Sequence, residues 1–126
     1  MMPTALRRSE PLATLRIIAA YLGPPTIWSG HLLFAYLFVS FTCAYGGTAT
    51  VRTIVAAFTA IALSGIAACG WIGFTHAREL DTLPWTDVER REHSRGFLAR
   101  AAIYLAVLFF IATLFEAAPA FALNSC

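Results

Sequence analysis

Residues 25–45 read PTIWSGHLLFAYLFVSFTCAY, and no side chain in this stretch carries a formal charge. The stretch belongs to a longer uncharged run that begins after Arg16 and ends at Arg52. About 20 mostly apolar residues suffice to cross the roughly 30 Å of hydrocarbon in a bilayer. The sequence therefore predicts a transmembrane helix over about residues 25–45.

Two further uncharged runs follow the first. One separates Arg52 from Arg78, and a shorter one comes after Arg100. They predict spans over about residues 51–75 and 97–118 by the same length argument. The fold class expected for this 126-residue chain is an all-α membrane protein with three transmembrane helices in a single membrane domain.

Composition and charge agree with a membrane protein. Hydrophobic residues make up 59% of the chain and charged residues only 13%, against about 25% charged in soluble domains. Arginine is the sole basic side chain besides histidine, and every arginine except Arg52 lies near the N-terminus or around the second loop. In the bacterial inner membrane, where we expect this protein to reside, the positive-inside rule then predicts a cytoplasmic N-terminus and a periplasmic C-terminus.

The same charges bear on the partners and on processing. The arginines of the second loop alternate with acidic residues, which favours contact with anionic lipid headgroups and argues against nucleic acid as a partner. The first apolar run is longer than the 7–15 residues of a signal-peptide core, so we expect no cleavage.

A separate amphipathic helix is predicted before the first span, over about residues 10–22. Ser9 and Glu10 suit a helix N-terminus, and leucine and isoleucine then recur at helical spacing with Arg16 on another face. Such a helix is expected to lie in the membrane interface. The sequence Gly23-Pro24-Pro25 is expected to end it and turn the chain into the bilayer.

His31 is the one ionisable residue within the first span, about 9 Å from its cytoplasmic end at 1.5 Å per residue. Ionisable groups inside a membrane are costly and face partners. One interpretation is a haem ligand, a member of a proton path or a quinone contact. The other, which we favour, is a neutral imidazole hydrogen-bonded to a neighbouring helix.

Arg52 and Glu116 are predicted to lie at similar depth near the periplasmic surface, at the start of the second span and the end of the third. We expect them to form an ion pair, because pairing relieves both charges at the interface. The alternative for Glu116 is a carboxylate through which protons enter or leave.

Polar and small side chains point to helix packing. Ser29, Tyr36 and Ser40 form a hydroxyl stripe along the first span, whereas His31 lies on roughly the opposite face. A span with polar groups on two faces is expected to pack between partners. On the second span the small-x3-small row that allows close helix contact comprises Gly65, Cys69 and Gly73.

Two of the three cysteines, Cys43 and Cys126, are predicted to lie on the periplasmic side, where disulfides form. We expect them to be bridged, and the alternative is two free thiols that face lipid. Metal-ligand spacing, a phosphate loop and a nucleophile–base pair are all missing from the sequence. We therefore expect no enzyme activity, no metal and no cofactor of the chain's own, haem b at His31 being the alternative.

The sequence also resembles a known family through two patterns. These are Gly23-Pro24-Pro25-x2-Trp28-x2-His31-Leu32-x3-Tyr36 leading to Cys43, and Pro119-x-Phe121-x-Leu123-x2-Cys126. The family comprises small uncharacterised three-span bacterial membrane proteins, often encoded beside haem–copper cytochrome c oxidases. Its members commonly have proline immediately before the last cysteine, where this chain has Ser125.

The resemblance implies an accessory subunit or assembly partner of a respiratory complex, most of all a cytochrome oxidase, with Cys43 and Cys126 as paired thiols. Larger membrane subunits of that complex would be its partners. The alternative is a haem-b- or quinone-binding anchor similar to those of succinate dehydrogenase, whose second span ends somewhat like residues 73–81 here. The Ser-x2-His-Arg-x-Thr-Gly signature of such anchors is missing from this sequence.

Overall fold

A computed structural model describes residues 4–46, 48–81 and 89–122 of the chain. Three helices account for nearly all of these residues: α1 (Thr4–Tyr45), α2 (Thr48–Asp81) and α3 (Glu89–Ala122).

Each helix contains a segment long and apolar enough to cross a membrane. The segments are Pro11–Tyr45, Thr50–Glu79 and Gly96–Ala122. The prediction of an all-helical protein with three potential membrane spans is confirmed, because the uncharged runs at residues 25–45, 51–75 and 97–118 fall inside these segments.

Gly46 ends α1 and reverses the chain into α2. Its φ of 82° lies in the left-handed region, which glycine reaches without the steric cost that a Cβ brings. Its N–H donates to the carbonyl of Thr42 at 3.0 Å, so the turn closes a helix end in the usual left-handed way. We call the end of the bundle that contains this turn the Gly46 end and the opposite one the Asp81 end.

Small residues bring the three helices together. The buried face of α3 is made almost entirely of alanine, with Ala99 and Ala102 toward the Asp81 end and Ala106 at the middle of the helix. A Cβ added to Gly70 of α2 would lie 2.9 Å from the Cβ of Ala106, closer than real Cβ contacts come. In lipid, where helices gain no hydrophobic attraction for one another, such close packing is one source of their association.

The predicted separate helix over residues 10–22 is not present. These residues continue without interruption into the first span as part of α1, and Gly23-Pro24-Pro25 does not break the helix. At 1.5 Å per residue the 42 residues of α1 extend about 63 Å. The helix is therefore about twice as long as the hydrocarbon core is thick.

Packing explains why the helix continues through both prolines. Each proline removes one backbone donor, but in a membrane neighbouring helices and hydroxyl groups compensate for such losses. Pro24 is fully buried in the bundle, and the hydroxyl of Thr26 donates to the carbonyl of Leu22 at 2.7 Å. Gly23 lies so close to α2 that an added Cβ would come within 2.5 Å of the Cys69 sulfur.

Candidate functional site: a cavity beside His31 and Glu116

His31 is the centre of the polar contacts between the helices. Only 2% of its surface is exposed, although it belongs to a helix that is otherwise poorly buried. Its ring stacks beside Phe58 of α2, with 5.9 Å between centroids and 14° between planes. Its Nε2 lies 2.9 Å from the hydroxyl oxygen of Thr59, one turn of α2 from Val55. The imidazole is therefore hydrogen-bonded to a neighbouring helix.

Thr59 determines which nitrogen of His31 carries hydrogen. The Thr59 hydroxyl donates to the carbonyl of Val55 at 2.7 Å. A hydroxyl group has a single hydrogen, so Thr59 can only accept from the imidazole. Nε2 of His31 is consequently the donor, and in the neutral ring Nδ1 is an acceptor.

Glu116 of α3 faces that second nitrogen. Its Oε2 lies 3.9 Å from Nδ1 of His31, too far for a hydrogen bond. Both atoms are buried, and neither has a hydrogen-bond partner in the part of the chain that the structure describes. Two buried acceptors without partners are energetically costly. The arrangement calls for a hydrogen-bond donor between or beside them.

Arg52 does not supply that donor. Its guanidinium donates instead to the backbone carbonyl of Phe121, in the last turn of α3. The direct Arg52–Glu116 ion pair predicted from their common depth is therefore not formed. The physical reason is that the last carbonyls of a helix lack partners and carry partial negative charge, so a cation binds them well. Glu116 remains free to face His31.

A cavity of about 590 Å³ lies beside these groups at the Gly46 end. His31, Glu116 and Arg52 line it, and most of the remaining wall is apolar, with residues such as Val39 and Val55. Residues of all three helices contribute to the wall. The cavity thus combines apolar walls with a few convergent polar groups, the composition typical of small-molecule sites.

Tyr36 stands at the exposed side of this cavity, together with Ser40. Both belong to the hydroxyl stripe of α1, and both are exposed on the outside of the bundle, as is Ser29. The Ser29 hydroxyl donates to the carbonyl of Pro25 at 2.8 Å. The stripe therefore points away from α2 and α3, whereas the His31 face of α1 points toward them.

The predicted small-residue row on α2 divides between two neighbours. A Cβ on Gly65 would meet Ile27 of α1 at 3.1 Å, and Cys69 touches Gly23 of the same helix. Gly73 faces α3 instead, where an added Cβ would lie 3.1 Å from the carbonyl oxygen of Ala99.

Sequence reasoning missed two of the tightest contacts. The sequence pattern predicts only a helix break at Gly23, and Gly70 lies outside the i, i+4 row of Gly65, Cys69 and Gly73. A second row of small residues, three positions apart at Gly70 and Gly73, is the signal that could have found the contact with α3.

Only one of the two cysteines of the predicted disulfide lies among the described residues. Cys43 is half-buried near the Gly46 end, Cys126 lies outside the described residues, and Cys69 is a free thiol. The Cys43–Cys126 bridge stays a prediction.

Comparison of the chain with protein-family models, with curated proteins and with solved structures finds no match.

Proposed function

We propose that this protein is a non-catalytic accessory subunit, structural or assembly-related, of a bacterial respiratory membrane complex, most of all a cytochrome oxidase. The proposal draws on the resemblance to oxidase-associated three-span proteins and on the outward-facing hydroxyl stripe of α1. The protein would reside in the inner membrane with its N-terminus in the cytoplasm.

The observation that carries the proposal is Tyr36. The residue is 74% exposed, and its hydroxyl makes no hydrogen bond to any described residue. At 1.5 Å per residue it lies about 14 Å along α1 from Tyr45, inside the hydrocarbon layer if the helix end marks the interface. A hydroxyl in lipid without a partner is unfavourable. A polar group on an adjoining subunit would satisfy it.

The uneven burial of the helices supports the same interpretation. Only 6% of the most hydrophobic window of α1 is buried within the chain, against 22% for each of the other two helices. Yet α1 carries the exposed hydroxyls of Tyr36 and Ser40. The helix whose hydrophobic window is least buried within the chain thus also carries exposed polar groups suited to an interhelical contact.

Anionic lipids are proposed as further partners at the Asp81 end. Arg16 and Arg78 are exposed there, with the Arg78 guanidinium 5.7 Å from the centre of the Phe74 ring. Arginines at this level would contact the headgroups of the cytoplasmic leaflet.

The alternative of a haem-b anchor fits His31 poorly. An axial ligand needs a ring nitrogen directed at an open space for the iron. Here Nε2 donates to Thr59 at 2.9 Å, and Nδ1 faces the Glu116 carboxylate at 3.9 Å. The geometry therefore favours the accessory subunit over the haem anchor, and we propose no haem on this chain.

Copurification in mild detergent tests the proposal. A tagged chain should bring down a haem-containing complex, and deletion of its gene should lower the thermal stability of that complex. Tyr36→Phe should weaken retention several-fold, whereas Tyr45→Phe serves as the matched control, because Tyr45 is 80% exposed at the end of the same helix, where water can satisfy its hydroxyl. A chain that purifies alone and colourless would contradict the proposal.

A further inference from the structure

His31 and Glu116 place two buried hydrogen-bond acceptors beside the cavity. Nδ1 of His31 and Oε2 of Glu116 are both buried, both unpartnered among the described residues, and 3.9 Å apart. The hydrogen of the Thr59 hydroxyl is committed to Val55, which keeps Nδ1 an acceptor in the neutral ring. A ligand in this cavity is therefore selected by its ability to donate hydrogen bonds.

Charge excludes two classes of ligand. An anion would face the lone pairs of two acceptors, which repel it. A metal ion would find only two ligands, since no group of three or more His, Cys, Asp or Glu side chains forms among the described residues. The Glu116 carboxylate and the Arg52 guanidinium both line the cavity and offset each other, so a ligand with net charge of either sign gains little there. A neutral donor remains.

The walls and the opening define the rest of the ligand. A volume of about 590 Å³ is in the usual range for small-molecule sites, about 300–1,000 Å³. Leu32, Val39 and Val51 make the walls apolar, and the exposed Tyr36 lies where the cavity meets the outside of the bundle. An apolar molecule can therefore approach through the bilayer with its polar head leading.

We propose that the cavity binds the head of a neutral, lipid-soluble hydroquinone or related phenol, one hydroxyl group of which shares its single hydrogen between Nδ1 of His31 and Oε2 of Glu116 in a bifurcated hydrogen bond. The two oxygens of the corresponding quinone are carbonyls, which only accept hydrogen bonds. The site is therefore selective for the reduced form. This inference concerns the isolated chain and does not depend on the proposed accessory role.

Titration of the purified full-length chain in phosphatidylcholine nanodiscs tests the site directly. The probes are a decyl-substituted benzohydroquinone and the matching benzoquinone, each measured by calorimetry against empty nanodiscs. We expect the hydroquinone to bind at least about tenfold more tightly, the effect of one well-made buried hydrogen bond. Equal affinity for the two forms, or no binding of either above the empty-nanodisc signal, overturns the inference.

Glu116→Gln is the decisive variant, because it keeps the shape and replaces one carboxylate oxygen by an NH₂ donor. The tenfold preference for the hydroquinone should disappear. Ser64→Ala is the matched control, since Ser64 is exposed on α2 and its hydroxyl donates only to Ala60 of its own helix. Circular dichroism and thermal unfolding establish that both variants fold. An unchanged preference in folded E116Q refutes the role of Glu116.

Failure here is distinguishable from failure of the accessory role. Ligand binding is measured on the chain alone, whereas the accessory role is measured by what copurifies with it. Loss of ligand binding would therefore refute only the ligand site, and loss of copurification would refute only the accessory role.

Discussion

Replacing Gly70 by alanine should loosen the contact between α2 and α3. The new Cβ would lie 2.9 Å from the Cβ of Ala106, whereas carbon atoms pack best at about 3.5–4.0 Å. Because Ala106 is itself buried and has no flexible end to move aside, the helices must separate. Overpacking of this kind costs about 1–3 kcal/mol. Alanine returns about 0.5–1 kcal/mol through its higher helix propensity. We expect a net loss of about 1–2 kcal/mol in the free energy of unfolding.

Unfolding of the purified chain by a denaturing detergent, followed by circular dichroism, measures this loss. Gly30→Ala is the matched control, because a Cβ there meets no heavy atom within 4 Å and only the helix propensity changes. The double variant Gly70→Ala with Ala106→Gly moves the methyl group across the interface and should recover most of the stability. If Gly70→Ala proves as stable as Gly30→Ala, the close approach of α2 and α3 is refuted.

Two further predictions concern the polar contacts. Thr59→Val removes the acceptor of the His31 Nε2 hydrogen bond and should cost about 1 kcal/mol in the same unfolding assay, the usual worth of an interhelical hydrogen bond in a membrane. Thr59→Ser keeps the hydroxyl and should remain close to wild type. If Cys43 and Cys126 form the predicted disulfide, a membrane-impermeant maleimide should label neither until reductant is added, whereas Cys126→Ser should leave Cys43 open to labelling at once. Full labelling of the wild-type chain without reductant would show that the bridge is absent.

The spans could be predicted because the property that defines them is local. Each uncharged run can be recognised from its own residues and its length alone, without knowledge of what packs against it. The structure places residues 25–45, 51–75 and 97–118 inside helices long and apolar enough to cross a membrane. Nothing in that argument depends on tertiary contacts.

The error at Gly23-Pro24-Pro25 has the opposite origin. Prolines break helices because of a missing donor and a steric clash, and a prediction from sequence assigns them the cost that they have in an isolated helix. The actual cost depends on the neighbours. Pro24 is buried against the bundle, and Gly23 admits the sulfur of Cys69, so the continuous helix gains packing that a break would lose. No pattern within residues 10–25 contains this information.

The depth of a residue in the membrane is not enough to predict its partner, as Glu116 shows. Counting residues from the ends of the spans places Arg52 and Glu116 at similar height, and opposite charges at one height suggest a pair. The depth of a residue in the membrane does not determine how its helix is rotated about its own axis. That rotation is determined by which face of the helix is buried. Thr113 and Ala117, the buried neighbours of Glu116 on α3, turn its carboxylate toward His31. Arg52 is left beside the unpaired carbonyls at the end of α3. The same rotation that costs the protein a favourable ion pair puts two acceptors face to face within the helices. A chain selected only as a membrane anchor gains nothing from that arrangement, whereas a chain that binds a hydrogen-bond donor does.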